Sequence, residues 1–311
     1  MPMRAGNTKA VAMRALTIGA FAALVLQPAG GQTDGSRIMA SAKPAAAAAA
    51  GHPVGSNPSD VAKTLKDAAE TLGLARWSAV GGQRLPEVDV INTMEMWASG
   101  TTYNQSGTAI KTDYHASLGY NPPAMRVEMT RTAAGAAPQH TFEVVRDAYA
   151  WDESEPGGGL VPGKGTATPV PAAASGRLLQ LWILPYGVIK AAMAAGDKTK
   201  MSADNGMAVL TFPLSGPLAS VTVRATLDAE NEVAKVETRT DNPALSNLNT
   251  ETEYSEYADH GEILTDVKSP GHIVRKQGGH AVLDLKVKTL DANNPYLVFP
   301  VPPNVKAAVA K

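Results

Sequence analysis

The sequence predicts an α+β fold: one large, curved antiparallel sheet of about eleven strands, a half-barrel, with helices packed on its concave side. Three observations predict it. Segments with period-two alternation of apolar and polar residues lie on both sides of the middle of the chain, and alternation of this kind marks a sheet with one face buried and one face wet. The middle itself, RLLQLWILPYGVIKAAMAA at 177–195, is apolar nearly all round at helical spacing, which is the pattern of a helix buried on most of its surface. No regular strand–helix–strand rhythm runs through the chain, so a parallel sheet is not expected.

Taken in order, residues 1–31 have the pattern of a secretory signal. Arg4, Lys9 and Arg14 form a positive start, ALTIGAFAALVL is a short apolar run, and Ala29, Gly30 and Gly31 offer small residues for cleavage. Residues 32–57 read as a disordered linker rich in Ala, Gly and Pro, including Ala45 to Ala50, with too little apolar surface to fold alone. The folded domain is expected over 58–305, with a tail at 306–311. Its first element is a helix. Asn57 can cap it, Pro58 suits the first helical position, Asp60 lies in the first turn, and Gly73 ends it. Val61, Leu65, Ala68, Ala69 and Leu72 share one face.

Strand patterns follow. Met94, Met96 and Ala98 alternate with Thr93, Glu95 and Trp97; Met125, Val127 and Met129 alternate with Arg126, Glu128 and Thr130. Two short runs occupy 142–145 and 148–151. The Gly/Pro-rich stretch 152–174, with Gly157-Gly158-Gly159, is expected to be a flexible loop without regular structure. In the central stretch Pro185 cannot extend the turn before it but can open a new helix, so two helices are expected, about 174–183 and 185–195, meeting at a kink. Strands resume at 207–212, 221–227, 233–240, 250–257, 262–267 and 283–288, joined by turns such as 228–231 and 277–279. With Gly278-Gly279 as a two-residue turn, an uninterrupted ladder pairs Gln277 with His280, Arg275 with Val282, Ile273 with Asp284 and His272 with Leu285. Arg275 and Asp284 are then diagonal neighbours on one face.

Composition excludes several classes of function. The chain has no cysteine, hence no disulfide, thiolate metal site, thiol nucleophile or lipid-bearing cysteine. Without Arg4, Lys9 and Arg14 the 28 basic residues fall to 25 against 29 acidic ones, a net charge of −4 that gives no support to nucleic-acid or anionic-membrane binding. No apolar run after the signal approaches about 18 residues, so no membrane span is expected after processing.

The segments RLLQLWILPYGVIKAA (177–192), YSEYADHGEI (254–263), HIVRKQGGHAVLDLKV (272–287), FPVPPNV (299–305) and DYHASLGYNPPAMRVEMTRT (113–132), in this order and spacing, resemble the periplasmic domain that precedes some bacterial metallo-β-lactamase-fold hydrolases. That domain is similar in turn to the LolA/LolB-like lipoprotein-carrier half-barrels. Where this chain has Tyr186, the family often has His. The hydrolase half is not matched: none of the six His residues has H-x-H spacing, and the HxHxDH zinc motif is absent from the sequence. The resemblance therefore implies the non-catalytic half, a curved sheet with a helical cover, a shape that relatives use to hold acyl chains or apolar segments.

Candidate chemistry is sparse. His272 and His280 share a hairpin but stand about 17 Å apart at roughly 3.3 Å per residue, too far to share an ion. His115 stands alone, and His260 lies at a turn. Glu251 and Glu253 are expected on the wet face of a strand. Gly157–Gly159 lacks the Lys-Ser/Thr of a phosphate loop. No Gly-x-Ser-x-Gly elbow is present. No catalytic residue, metal or cofactor is expected. The favoured site is the apolar face formed by Met94, Met96, Met125 and Met129 of the sheet opposite Leu181, Trp182 and Ile189 of the helices, because methionine adapts to ligands of varied shape. The expected function is non-enzymatic binding of a lipid, acyl chain or apolar peptide by a periplasmic or secreted protein. The alternatives are an interaction module that docks onto a separate hydrolase or envelope partner, and a hydrolase without a recognisable motif. Export is checked by intact mass, with the processed chain expected to begin between about Pro28 and Gln32; a full-length product retained in the cytoplasm would refute the signal assignment.

Overall fold

The computed structural model describes residues 58–80, 83–88, 90–259 and 267–309. The expected signal and linker, His52, His260 and most of the expected strand at 262–267 lie outside the described residues. Helix α1 (Pro58–Thr71) opens the domain and buries Val61, Leu65, Ala68 and Ala69, with Leu72 buried in the turn just after it, the face read from the spacing. Gly73 follows at φ 76°, a left-handed position that glycine adopts without strain. Strands β1 (Ala75–Val80) and β2 (Gln83–Val88) pair only with each other.

The main sheet begins with β3 (Thr93–Tyr103), β4 (Ala109–Tyr120), β5 (Pro123–Thr132), β6 (Gln139–Arg146), β7 (Tyr149–Glu153) and β8 (Ala167–Pro169). Helices α2 (Ala174–Trp182) and α3 (Pro185–Ala195) interrupt it. It continues with β9 (Lys200–Asp204), β10 (Met207–Pro213), β11 (Val221–Leu227), β12 (Val233–Thr240) and β13 (Thr250–Ser255). The short strands β14 (Ala258–Asp259) and β15 (Lys268–Ser269) pair with each other. Then come β16 (His272–Gln277), β17 (His280–Ala292) and helix α4 (Pro303–Val309).

The sheet has 13 strands in the order β8-β7-β6-β5-β4-β3-β17-β16-β13-β12-β11-β10-β9, and every neighbouring pair is antiparallel. It is not closed. Strands β8 and β9 are its two edges, and the chain passes from one to the other through α2 and α3. Helix α2 packs on β5, β6 and β7, and α3 packs on β10 and α1. The two helices are bent by 95° at the break between them. No single helix among the described residues is long and apolar enough to cross a membrane.

The α+β class, the antiparallel sheet and the kinked helix pair agree with the sequence reading. The strand count does not, and the reason is visible in β4 and β9. In β4 the residues Ala116, Ser117 and Leu118 are buried in succession, so alternation is lost. In β9 only Met201 is buried, so a short edge strand gives almost no pattern. The stretch 152–174 also departs from expectation. It folds back on itself through hydrogen bonds from Gly157 N to Glu153 Oε2 (2.9 Å) and from Ser154 N to Thr166 O (3.0 Å), and it contains β8 and a 3-10 turn at Pro171–Ala173. A Cβ at Gly158 would lie 2.6 Å from the Thr166 carbonyl oxygen, so this glycine serves close packing and not flexibility.

The largest correction concerns the hairpin register. Gln277 does pair with His280, with Gly278 and Gly279 at φ 56° and 82° as a two-residue turn of this kind demands. The ladder then shifts at a bulge between Arg275 and Lys276, so that Arg275 pairs with Leu283 and His272 with Lys286. Because side chains alternate with period two, the extra residue Val282 in β17 places Arg275 on the face of Leu283 and Asp284 on the opposite one, so the two are not the same-face neighbours expected. Asp284 instead meets His272, with Nε2 2.8 Å from Oδ1.

Register assigns two faces. Met94, Met96, Leu118, Met125, Val127, Met129, Ile273, Tyr254, Val223 and Leu210 point to the helix side and join α1, α2 and α3 in one continuous core. On the outer face Trp151 is wholly buried with Ala124, Val144, Phe299 and Val305 beneath the C-terminal segment. Arg146 donates to the Phe299 carbonyl (3.0 Å), and Asn304 donates to that of Ala167 (2.7 Å).

The helix break is tightly built. A Cβ at Gly187 would collide with the Leu181 carbonyl oxygen and come within 3.0 Å of Trp182 Cα. In an open helix, Gly→Ala raises stability by up to about 1 kcal/mol. At this crowded turn Gly187→Ala is expected to lower it by about 1–3 kcal/mol. Urea unfolding decides the matter by its sign, and a gain in stability would show that the two helices do not pack this closely.

Candidate functional site

The break between α2 and α3 leaves backbone carbonyls without helical partners. The hydroxyl of Tyr254, from the sheet below, donates to the Ile183 carbonyl at 2.6 Å. Two further tyrosines tie neighbouring segments in the same way: Tyr186 donates to the Lys268 carbonyl at 2.6 Å and Tyr257 to that of Val233 at 2.8 Å. Burial raises the pKa of all three, and it pushes Tyr114, on β4, up to about 12. Tyr254 ties the helix break to β13 and Tyr186 ties α3 to β15, while Tyr257 joins the end of β13 to β12, each as a neutral hydrogen-bonding group.

On the α3 side, Tyr120 of β4 lies 5.9 Å from the Trp182 ring, tilted by 52°, and the Lys190 ammonium sits 4.9 Å above the Tyr120 ring. Desolvation lowers the Lys190 pKa to about 8. The electron-rich ring face favours the cation and so acts against that shift.

Of the seven residues expected to form an apolar site, Met94, Met96, Met125, Met129, Leu181 and Ile189 all belong to the buried core. Trp182 is half-buried at the edge of that core. It borders a half-open cleft of about 310 Å³ with Ala191, Ala194, Ala195, Lys198, Pro213, Leu214 and Ser215. A second cleft, about 380 Å³, lies on another side of α3 and is lined by Val61, Ala62, Leu65, Ala192 and Met193, with Lys200 at the rim. A third, about 360 Å³, opens between α2 and the sheet. Its walls include Leu179, Ile183, Leu248 and Val282, and its polar groups include Arg177, Arg275, Gln180 and Glu143. The six core residues line none of these three clefts.

Arg177 is spent within the fold. It donates to the carbonyls of Val144 (3.1 Å) and Trp151 (2.7 Å), pairs with Asp152 at 2.5 Å, and lies 3.7 Å from Glu143. Arg275 is different. Its Nε is buried and has no hydrogen-bond partner.

The outer face holds a cluster that spacing could not reveal. His115 stacks on Trp97 with ring centroids 4.6 Å apart, and it stands between Glu95 (3.2 Å) and Glu128 (3.7 Å), while His140 reaches Glu128 at 3.0 Å. These residues are scattered in sequence, and only the pairing of β3, β4, β5 and β6 joins them. Glu251 and Glu253 do lie on the outer face, neutralised by Lys276 at 3.4 and 2.6 Å. Among the described residues no group of three or more His, Cys, Asp or Glu side chains is placed to hold a metal ion.

No family model matches the chain, and a comparison with curated proteins found no match.

The Lys190 environment has a measurable consequence. Its folded pKa of about 8 lies below the unfolded value of 10.5, so between these pH values the unfolded chain holds more protons than the folded one. Stability from this group therefore rises as pH increases through that window. Unfolding curves for wild type and Lys190→Met, measured from about pH 7.5 to 10, should converge toward the alkaline end, with wild type gaining on the variant. Parallel pH profiles would show that Lys190 is not desolvated.

Proposed function

We propose that the protein is a non-enzymatic carrier of the periplasm or extracellular space, and that it binds a lipid, an acyl chain or an apolar peptide segment between the sheet and the helix pair. In this reading the sheet curves as a half-barrel and the helices cover its concave side. One observation carries the proposal: α3 is apolar on nearly every side, yet half-open clefts of about 310 and 380 Å³ flank it. Protein interiors leave few voids larger than a water molecule, and small-molecule sites begin at about 300 Å³. Apolar helix surface facing such clefts is surface that the fold itself does not use. The core methionines of β3 and β5 are unbranched and can move between rotamers as a chain enters. Removal of apolar area from water, at about 25 cal/mol per Å², supplies the driving force.

A second reading, an interaction module for a hydrolase or envelope partner, draws support from Tyr296 and Val298. They are 86% and 68% exposed on the segment after β17.

Titration with a fluorescent fatty-acid probe separates the two. Under the carrier reading the wild type binds the probe saturably. Trp182→Ala should then weaken binding about tenfold, or about 1.4 kcal/mol. It should cost less stability than the about 3–5 kcal/mol typical of a wholly buried tryptophan, because Trp182 already borders a cleft. No saturable binding by wild type would reject the carrier and leave the interaction module.

A further inference from the structure

We infer that the cleft between α2 and β16 is a site for an anionic head group, a carboxylate or a phosphate monoester, on a single-chain amphiphile, with Arg275 as the group that recognises it. This rests on the apolar-ligand reading above and names the class of ligand. Arg275 stands opposite the bulge of the hairpin, where Val282 is the extra residue of β17 and itself lines the cleft. Along β16 Arg275 alternates in step with the buried Ile273, so it lies on the helix side of the sheet, where its partners across the ladders are Leu283 and the buried Thr252. Its charge acts on the buried phenols Tyr114 and Tyr254, which places it against the core.

Arg275 is half-buried with its Nε shielded from water, and a partly desolvated cation is stabilised by a counter-charge. Within the described residues no carboxylate lies within ion-pairing distance of Arg275, and its Nε has no acceptor. The one acidic residue in the cleft, Glu143, is already flanked by Arg177 at 3.7 Å and Arg131 at 3.8 Å. The cleft thus holds two guanidinium groups against one carboxylate. A guanidinium offers a planar fork of donors that fits a carboxylate or a phosphate in two-point contact. The remaining lining suits an alkyl chain: Leu179, Ile183, Leu248 and Val282 surround the same space.

The test is calorimetric titration of the full chain with laurate, dodecyl phosphate and, as the neutral match, dodecanol. Laurate or dodecyl phosphate should bind about tenfold or more tighter than dodecanol, and the stronger of the two identifies the head group. Arg275→Gln should abolish that preference while keeping dodecanol affinity. Gln180→Glu, which adds a carboxylate to the cleft without touching Arg275, should reduce the preference as well, and it serves if Arg275→Gln does not fold. Equal binding of charged and neutral chains by wild type overturns the head-group site but not the carrier. So does a preference that survives both substitutions. Binding of none of the three chains overturns both.

Discussion

The break at Leu184-Pro185 is the constraint on which the rest of the structure depends. An open sheet of 13 strands presents one long apolar face, and two edges lie at its ends. On its way from β8 to β9 the chain lays α2 and α3 on that face, where α1 joins them. A straight helix would follow one direction. The 95° bend lets α2 lie on β5 to β7 and α3 lie on β10, so one short segment serves both halves of the sheet. Three residues make the bend affordable in physical terms. Pro185 begins α3 without needing an N–H partner, Gly187 allows the two helices to touch, and Tyr254 satisfies the Ile183 carbonyl released at the break.

Polar groups on the helix side are thereby committed to holding this cover in place. Tyr186 of α3 and Tyr254, which reaches the break, each direct a hydroxyl to a backbone carbonyl, and Arg177 joins α2 to β6 and β7. A satisfied buried network of this type fixes one arrangement of the elements, since any other leaves a donor or acceptor unpaired. The clefts occur where such fixing ends, along the flanks of α3 and at the mouth beneath α2. Arg275 Nε stands outside this network, in contrast to Arg177 in the same cleft.

The outer face follows a different economy. Over β9 to β16 its charges alternate and cancel: Arg224 pairs with Asp204 at 2.7 Å and Glu237 at 2.5 Å, Lys235 lies between Glu237 and Glu251, and Lys276 between Glu251 and Glu253. On the other half Arg126 and Trp151 both bind Glu153, whose carboxylate is almost wholly buried. Exposed pairs of the first kind add little stability each. Their effect is to leave that half of the sheet without a single-sign field, so a charged ligand finds no focus there.

Periodicity and local chemistry determined much of this protein. The alternation of Met94, Met96 and Ala98, the apolar stripe from Val61 to Leu72, and the Pro185 break are local properties, and each fixed an element and its buried face. The Gly278-Gly279 turn was equally local. The apolar site was legible only as a set of core residues, because a core and a cavity lining have the same composition; the tertiary structure buried Met94, Met125 and Leu181 and left Trp182 at a cleft. The strand β4 escaped notice because both of its faces are covered near Leu118, which removes the alternation that betrays a strand. Only the structure could place Arg275. Its partners across the hairpin are set by a one-residue bulge at Val282 of β17, and a bulge arises from how the two strands fit their neighbours, which no local pattern in HIVRKQ encodes. For the same reason His115, Glu95, Glu128 and Trp97 became neighbours only through strand pairing: contacts between distant residues are decided by the closing of the sheet ladder, not by the spacing of residues along the chain.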